Sequence, residues 1–244
     1  MARMRRHSAI LLTLAVMLAV TGCQREASND AAFGQRVRAY LLAHPEVIQE
    51  SAQRLEAKLA SDEVATQRRA QALLPRLRAA VERDPADFVA NPNGRVTVTE
   101  FYDYRCPHCV NAAPKVLALV HAHPEVRFVF KEMPIFGPIS EHAARAALAV
   151  KAAGGDYLAV YGQLMATRPL TDQTIDQIAR RGGAIEIPNV QPHLAATAAL
   201  FNQLALGGTP AFIIGDEIVY GEDMDQVATA LIRAEARTER LAKS

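Results

Sequence analysis

Cys106-Pro107-His108-Cys109 follows the strand-like run 95–104 and opens an apolar helical segment. Two thiols at that spacing and junction make a candidate redox pair. A cysteine just before a helix meets unpaired backbone N–H groups and the positive end of the helix dipole, both of which favour thiolate. Cys106 is therefore expected to be the nucleophile. Cys109 lies one turn further in, where burial should raise its pKa and leave it as the resolving thiol. Pro107 suits a first helical turn. His108 could carry a positive charge or donate a hydrogen bond to the thiolate, and either would lower the Cys106 pKa.

Other uses of the pair fit less well. A bridge across two residues closes too small a loop to restrict the unfolded chain much, so it would be a poor staple. A structural zinc site needs four ligands, and there is no second C-x-x-C. His121, His123, His142 and His193 have no helpful spacing. No cofactor and no resident metal are expected. Two thiolates alone could hold Cu(I), so a copper-binding or chaperone-like module using the same thiols without turnover is the alternative.

The chain has three cysteines, and the third, Cys23, ends an N-terminal segment with Arg3, Arg5 and Arg6 followed by an apolar run 9–20. Residues 1–22 read as a signal peptide, too short to span a bilayer well. Val20-Thr21-Gly22-Cys23 resembles the lipobox of bacterial lipoproteins, which implies a lipidated Cys23 at the start of the mature chain. A soluble exported protein with a stray thiol is the other reading. The location implied is the bacterial cell envelope on the periplasmic side, with membrane attachment through a lipid anchor only. Disulfides persist there, so a dithiol is either structural or kept for exchange.

Composition narrows the class. Half the residues are hydrophobic, enough for a packed core. Losing residues 1–22 removes three arginines and no acids from 27 Lys+Arg against 26 Asp+Glu, leaving about −2. No nucleic-acid partner is suggested.

The elements that must hold the pair follow from pattern. Residues 23–32 read as a polar tether and 33–90 as a helical extension, with Pro45 and Pro75 marking starts or breaks. Leu41, Ile48 and Leu55 recur every seven residues, which permits a helix-helix seam through residues 33–83 or one amphipathic stretch packed on its own domain. Residues 91–244 form the second domain: strand 95–104, a helix from Pro107, strand 126–130, helical pattern over about 139–206, a hairpin at 211–220 and a last helix at 225–242. That order is an α/β thioredoxin fold with an inserted helical subdomain, preceded by an α-helical N-terminal extension.

Three segments, Glu100-Phe-Tyr-Asp-Tyr-Arg-Cys-Pro-His-Cys109, Phe130-Lys-Glu-Met-Pro134 and Gly208-Thr-Pro-Ala-Phe212, closely resemble the DsbA family of exported thiol-disulfide oxidoreductases. Residues 40–50 resemble the N-terminal extension of its ScsC-like branch. The resemblance implies a thiol-disulfide oxidoreductase that forms, reduces or isomerises disulfides in exported polypeptides and works with a membrane redox partner. It also implies homo-oligomerisation through the extension. Thr209-Pro210 would face the C-x-x-C with a cis bond, and Glu100 and Lys131 would lie beneath the buried cysteine. Glu100 could relay a proton to Cys109; a surface ion pair is the alternative for these two charges. Which way electrons run is left open.

Overall fold

Pro45 lies where the N-terminal helical run is interrupted. Residues 32–43 form helix α1, and α2 runs Glu46–Glu82. Pro75 does not break α2, contrary to expectation. It removes one backbone bond, a change worth about 3 kcal/mol in a helix interior. Leu73, Leu74 and Leu77 around it are held in an apolar cluster, and tertiary burial outweighs the local penalty.

The computed structural model describes residues 32–186 and 189–243. The signal peptide expected at 1–22, Cys23 and residues 24–31 of the tether lie outside these. The chain divides into two compact units, one ending at Glu63 and one beginning at Val64. In the first, Phe33, Tyr40, Leu42, Ile48, Leu55 and Leu59 are exposed, while Leu41 is half-buried. In the second, Ala70, Leu74 and Val81 of α2 are buried. The boundary expected after residue 90 therefore falls earlier, because Leu74 and Val81 share an apolar cluster with Phe101 of the sheet.

The second unit continues with β1 (Phe88–Ala90), β2 (Val96–Tyr102), α3 (Pro107–Ala122) and β3 (Val126–Glu132). Helices α4 (Pro138–Ala152), α5 (Tyr157–Ala166), α6 (Asp172–Arg181) and α7 (Gln191–Gln203) fill the expected insertion. The chain then forms β4 (Ala211–Ile214), β5 (Glu217–Tyr220) and α8 (Met224–Ala242). Asp156 caps α5, and Thr171 with Thr174 makes a capping box on α6, so these helices begin where the sequence supplies side-chain acceptors. No described helix is long and apolar enough to cross a membrane.

The strand order is β1-β3-β2-β4-β5. The helical crossover α3 makes β2 and β3 parallel, while β4 and β5 form an antiparallel hairpin around Gly215-Asp216, with Gly215 at φ 60°. β1 pairs antiparallel with β3 at the edge. Both sheet faces are covered. One carries Val98, Tyr102, Phe128, Phe130, Phe212 and Ile214 against α3 and the insertion. The other carries Phe101, Met133, Ala211 and Ile213 against α2 and α7. Central strand β2 is consequently buried on both sides, and even Thr99 and Glu100 are inside.

Candidate active site

Cys106 is the N-cap residue of α3, with Pro107 in the first helical turn. Its side chain makes no capping bond, so the helix-terminal N–H groups remain available to the sulfur. Cys109, in the same turn, is completely buried. The Cys106 thiol donates to the Thr209 carbonyl at 3.1 Å. The Thr209–Pro210 bond is cis, as the resemblance implied; Arg168–Pro169 is also cis. The Thr209 hydroxyl is buried without a hydrogen-bond partner among the described residues and can donate to a thiolate.

The two sulfurs are driven apart in acidity. The Cys106 pKa is lowered to about 5, first by the Cys109 thiol donating to it and against the opposing effect of burial. The Thr209 side chain and the backbone N–H groups of Cys109 and His108 help. Burial pushes Cys109 far above the ordinary thiol range, and its hydrogen bond to Cys106 adds to this. The expected nucleophile and resolving thiol thus differ by environment. His108 acts by another route than expected. Its exposed ring lies 3.6 Å from Glu222, and its backbone N–H, not its ring, favours the Cys106 thiolate.

Glu100 lies where expected, on β2 near Cys109, whose pKa it helps to raise. Burial is the main reason its own pKa rises to about 8; the Tyr161 hydroxyl, 3.3 Å from both carboxyl oxygens, opposes that. Lys131 does not lie beneath Cys109. In the β2–β3 register Glu100 pairs with Phe130 and Phe101 with Lys131, so side-chain alternation puts Lys131 on the opposite face from Glu100. There it forms a fully buried ion pair with Asp87.

The residue that does share the Glu100 face is Glu132. Its Oε1 lies within hydrogen-bond distance of three phenol hydroxyls, Tyr102 at 2.7 Å, Tyr104 at 3.1 Å and Tyr157 at 2.6 Å. Burial raises its pKa to about 8 against the pull of these hydroxyls. Sequence reasoning did not single out Glu132 or the four tyrosines as site residues. The available signal was Tyr157 and Tyr161, two phenols four residues apart on an otherwise apolar helix face. β1 helps hold Tyr157, because Phe88 stacks on it with ring centroids 4.1 Å apart.

Asp103 joins the cysteine turn to the next loop. Its carboxylate accepts from the backbone N–H groups of Arg105, Ile135 and Phe136 and from the Ser140 hydroxyl. Away from the thiols, Asp84, Asp87 and His193 come close enough to share an ion. The ammonium groups of Lys131, on Asp87, and Lys151, on the Pro85 and Ala86 carbonyls, already bring positive charge to that cluster.

A thioredoxin-type sheet with a dithiol at a helix start beside a cis-proline loop defines the class. Residues 97–232 match the DSBA-like thioredoxin domain, and residues 30–61 match the copper resistance protein ScsC N-terminal domain. The chain belongs to the DsbA-like thioredoxin-domain family of thiol-disulfide oxidoreductases, with an ScsC-type N-terminal domain. A thioredoxin-like oxidoreductase from Silicibacter pomeroyi is 39% identical, with a TM-score of 0.60, covering 65% of this chain and 98% of that one. Proteus mirabilis ScsC in a transitional conformation is 27% identical, with a TM-score of 0.65, covering 82% of this chain and 92% of that one. A curated relative, Na(+)/H(+) antiporter NhaA 3 of Salinispora tropica, is 35% identical over 99 residues. That match takes in 37% of this chain, which spans only 15% of the antiporter's length.

Proposed function

We propose that this protein exchanges disulfides with thiols of exported polypeptides, using Cys106 as the attacking and attacked sulfur and Cys109 as the resolving thiol. One observation carries the reading: two cysteines in one helical turn have opposite acidity, with Cys106 lowered to about 5 and Cys109 raised by burial. A stabilised Cys106 thiolate stabilises the reduced form, which makes the disulfide the stronger oxidant and favours disulfide donation to substrate. A substrate thiolate attacks Cys106, the S–S bond breaks, and the electron pair leaves on Cys109. Glu100 supplies the proton that Cys109 takes up. A second substrate thiolate then attacks the mixed disulfide and releases Cys106 as thiolate. Thr209 and Pro210 supply the backbone against which the polypeptide lies.

The test is a trap. Cys109→Ser should accumulate mixed disulfides through Cys106; no trapped species, together with no exchange between the wild-type pair and glutathione, overturns the enzyme reading. Alkylation trapping of Cys106 in intact cells decides direction: a mainly oxidised resting pair supports an oxidase recharged by a membrane partner, and a mainly reduced pair supports an isomerase or reductase.

Export through residues 1–22 and a lipid on Cys23 would hold the enzyme at the periplasmic side of a membrane. Metabolic labelling with a fatty acid, abolished in Cys23→Ser, tests the anchor. The exposed Ile48, Leu55 and Leu59 favour a homo-oligomer through the first unit. Removing residues 33–63, rather than to 83, should reduce the solution mass to that of a monomer.

A second reading rests on the copper-resistance description of the match at residues 30–61. The adjacent Cys106 and Cys109 thiols would bind Cu(I) without turnover. Stoichiometric Cu(I) binding that is lost in Cys106→Ser, with no exchange between the wild-type pair and glutathione, would favour it.

A further inference from the structure

The Glu132 carboxyl meets a closed triangle of short oxygen contacts. Tyr102 Oη lies 2.7 Å from Glu132 Oε1, Tyr157 Oη lies 2.6 Å from the same atom, and the two phenol oxygens are 2.6 Å apart. Oxygens that close need a proton between them on every edge. Tyr102 and Tyr157 bring one proton each, which covers two edges. Tyr104, 3.1 Å from both Tyr102 Oη and Glu132 Oε1, can donate its single proton into the triangle from outside but lies on none of its edges. The third edge therefore requires a proton on Glu132 itself. Glu132 Oε2 is buried and has no hydrogen-bond partner among the described residues, which suits the carbonyl oxygen of a neutral acid and would leave a carboxylate oxygen unsolvated.

We propose that Glu132 is held as a neutral carboxylic acid and acts as a positioning residue for Glu100, keeping a second negative charge out of the pocket while Glu100 passes its proton to Cys109. The proposal rests on the proton role given to Glu100 above. When substrate thiolate opens the disulfide, the negative charge moves from the substrate sulfur to Cys109, and then to Glu100 as its proton crosses to Cys109. A charged Glu132, diagonal to Glu100 on the next strand, would oppose that last transfer.

Of the groups facing Glu132, Glu100 from β2 and Asp103 from the turn after it favour its neutral form, as burial does, while the hydroxyls of Tyr102 from β2, Tyr104 from that turn and Tyr157 from α5 oppose it. Among the described residues no Lys, Arg or His pairs with it. Facing Glu100 are Tyr161 from α5 and Cys109 from α3. Burial, which raises the Glu132 pKa to about 8, agrees with a proton retained at pH 7.

Infrared spectroscopy of the full chain at pH 7 reads the proton directly. Glu132→Gln should remove one protonated-carboxyl C=O band, and Glu100→Gln a different one. An unchanged spectrum in Glu132→Gln overturns the proposal. Should Glu132→Gln not fold, the carboxyl carbon resonances of ¹³C-glutamate-labelled wild type replace it: two buried carboxyls neutral at pH 7 support the proposal, and only one overturns it. The positioning role is read from the pH dependence of mixed-disulfide formation. Wild type should lose rate as Glu100, whose pKa a charged Glu132 helps to raise, gives up its proton near pH 8, and Glu132→Gln should move that alkaline limb down by about one pH unit. An unmoved limb overturns the role even if the band is lost. The infrared and carbon signals need no turnover, so failure of the exchange reading would leave them intact.

Discussion

Cys106 Sγ lies 3.1 Å from the carbonyl oxygen of Thr209, a residue 103 positions later in the chain. The contact joins the start of α3 to the loop entering β4, so anything covalently attached to Cys106 arrives beside the Thr209–Pro210 backbone. It also places the Thr209 hydroxyl, which helps to lower the Cys106 pKa, next to the sulfur that carries charge.

Cys106 should titrate by alkylation rate with a midpoint of about 5, and Cys109→Ala, which removes the main donor to its thiolate, should raise that midpoint. Because the folded pKa is depressed from about 9 to about 5, the thiolate contributes stability to the reduced protein that is fully present above 9 and lost as pH falls toward 5. Denaturation of the reduced and oxidised forms across that window should show the reduced form gaining relative stability with rising pH. A constant difference would contradict it.

Glu100→Gln should leave Cys106 alkylation nearly unchanged while slowing turnover by about 10²-fold, the low end for loss of a general acid-base group. Its folded pKa is raised from 4.5 to about 8, so burial of Glu100 subtracts stability as pH rises through that range. Glu100→Gln should therefore be more stable than wild type at pH 9 and closer to it at pH 4, measured by denaturant midpoint.

Lys131→Met should destabilise the protein by about 3–5 kcal/mol, because it strands the buried Asp87 carboxylate. The pH midpoint of Cys106 alkylation should not move, since Lys131 occupies the other sheet face. A shifted midpoint would restore Lys131 to the site.

Leu74→Ala should destabilise the catalytic unit by about 2–5 kcal/mol, read from urea unfolding. Leu74 is 1% exposed in the cluster with Phe101 and Leu204. A negligible effect would mean that α2 beyond residue 64 is no part of that unit.

What could be read in the chain was what local chemistry encodes. Pro107 after Cys106 marks a helix start, Gly215-Asp216 marks a hairpin, and both stand where expected. β1 was not legible: three residues between two proline-containing turns carry no period, and only the edge of β3 makes them a strand. Pro75 misled because a helix-breaking residue can be carried by the burial of its neighbours. Lys131 misled for a deeper reason. A strand buried on both faces shows no polar-apolar alternation, so its sequence does not say which side each residue takes. Glu132 was hidden by the same loss of pattern.

The alignment of β3 against β2 therefore belongs to the chemistry as much as any side chain does. Slipping it by one residue would exchange every neighbour: an ammonium would arrive under the resolving sulfur, and an acid would be pressed among leucines and phenylalanines. The strands' hydrogen-bond ladder selects which of two adjacent ionisable residues serves the thiols and which serves the scaffold, so an insertion or deletion at 124–125 should silence the dithiol without touching either cysteine.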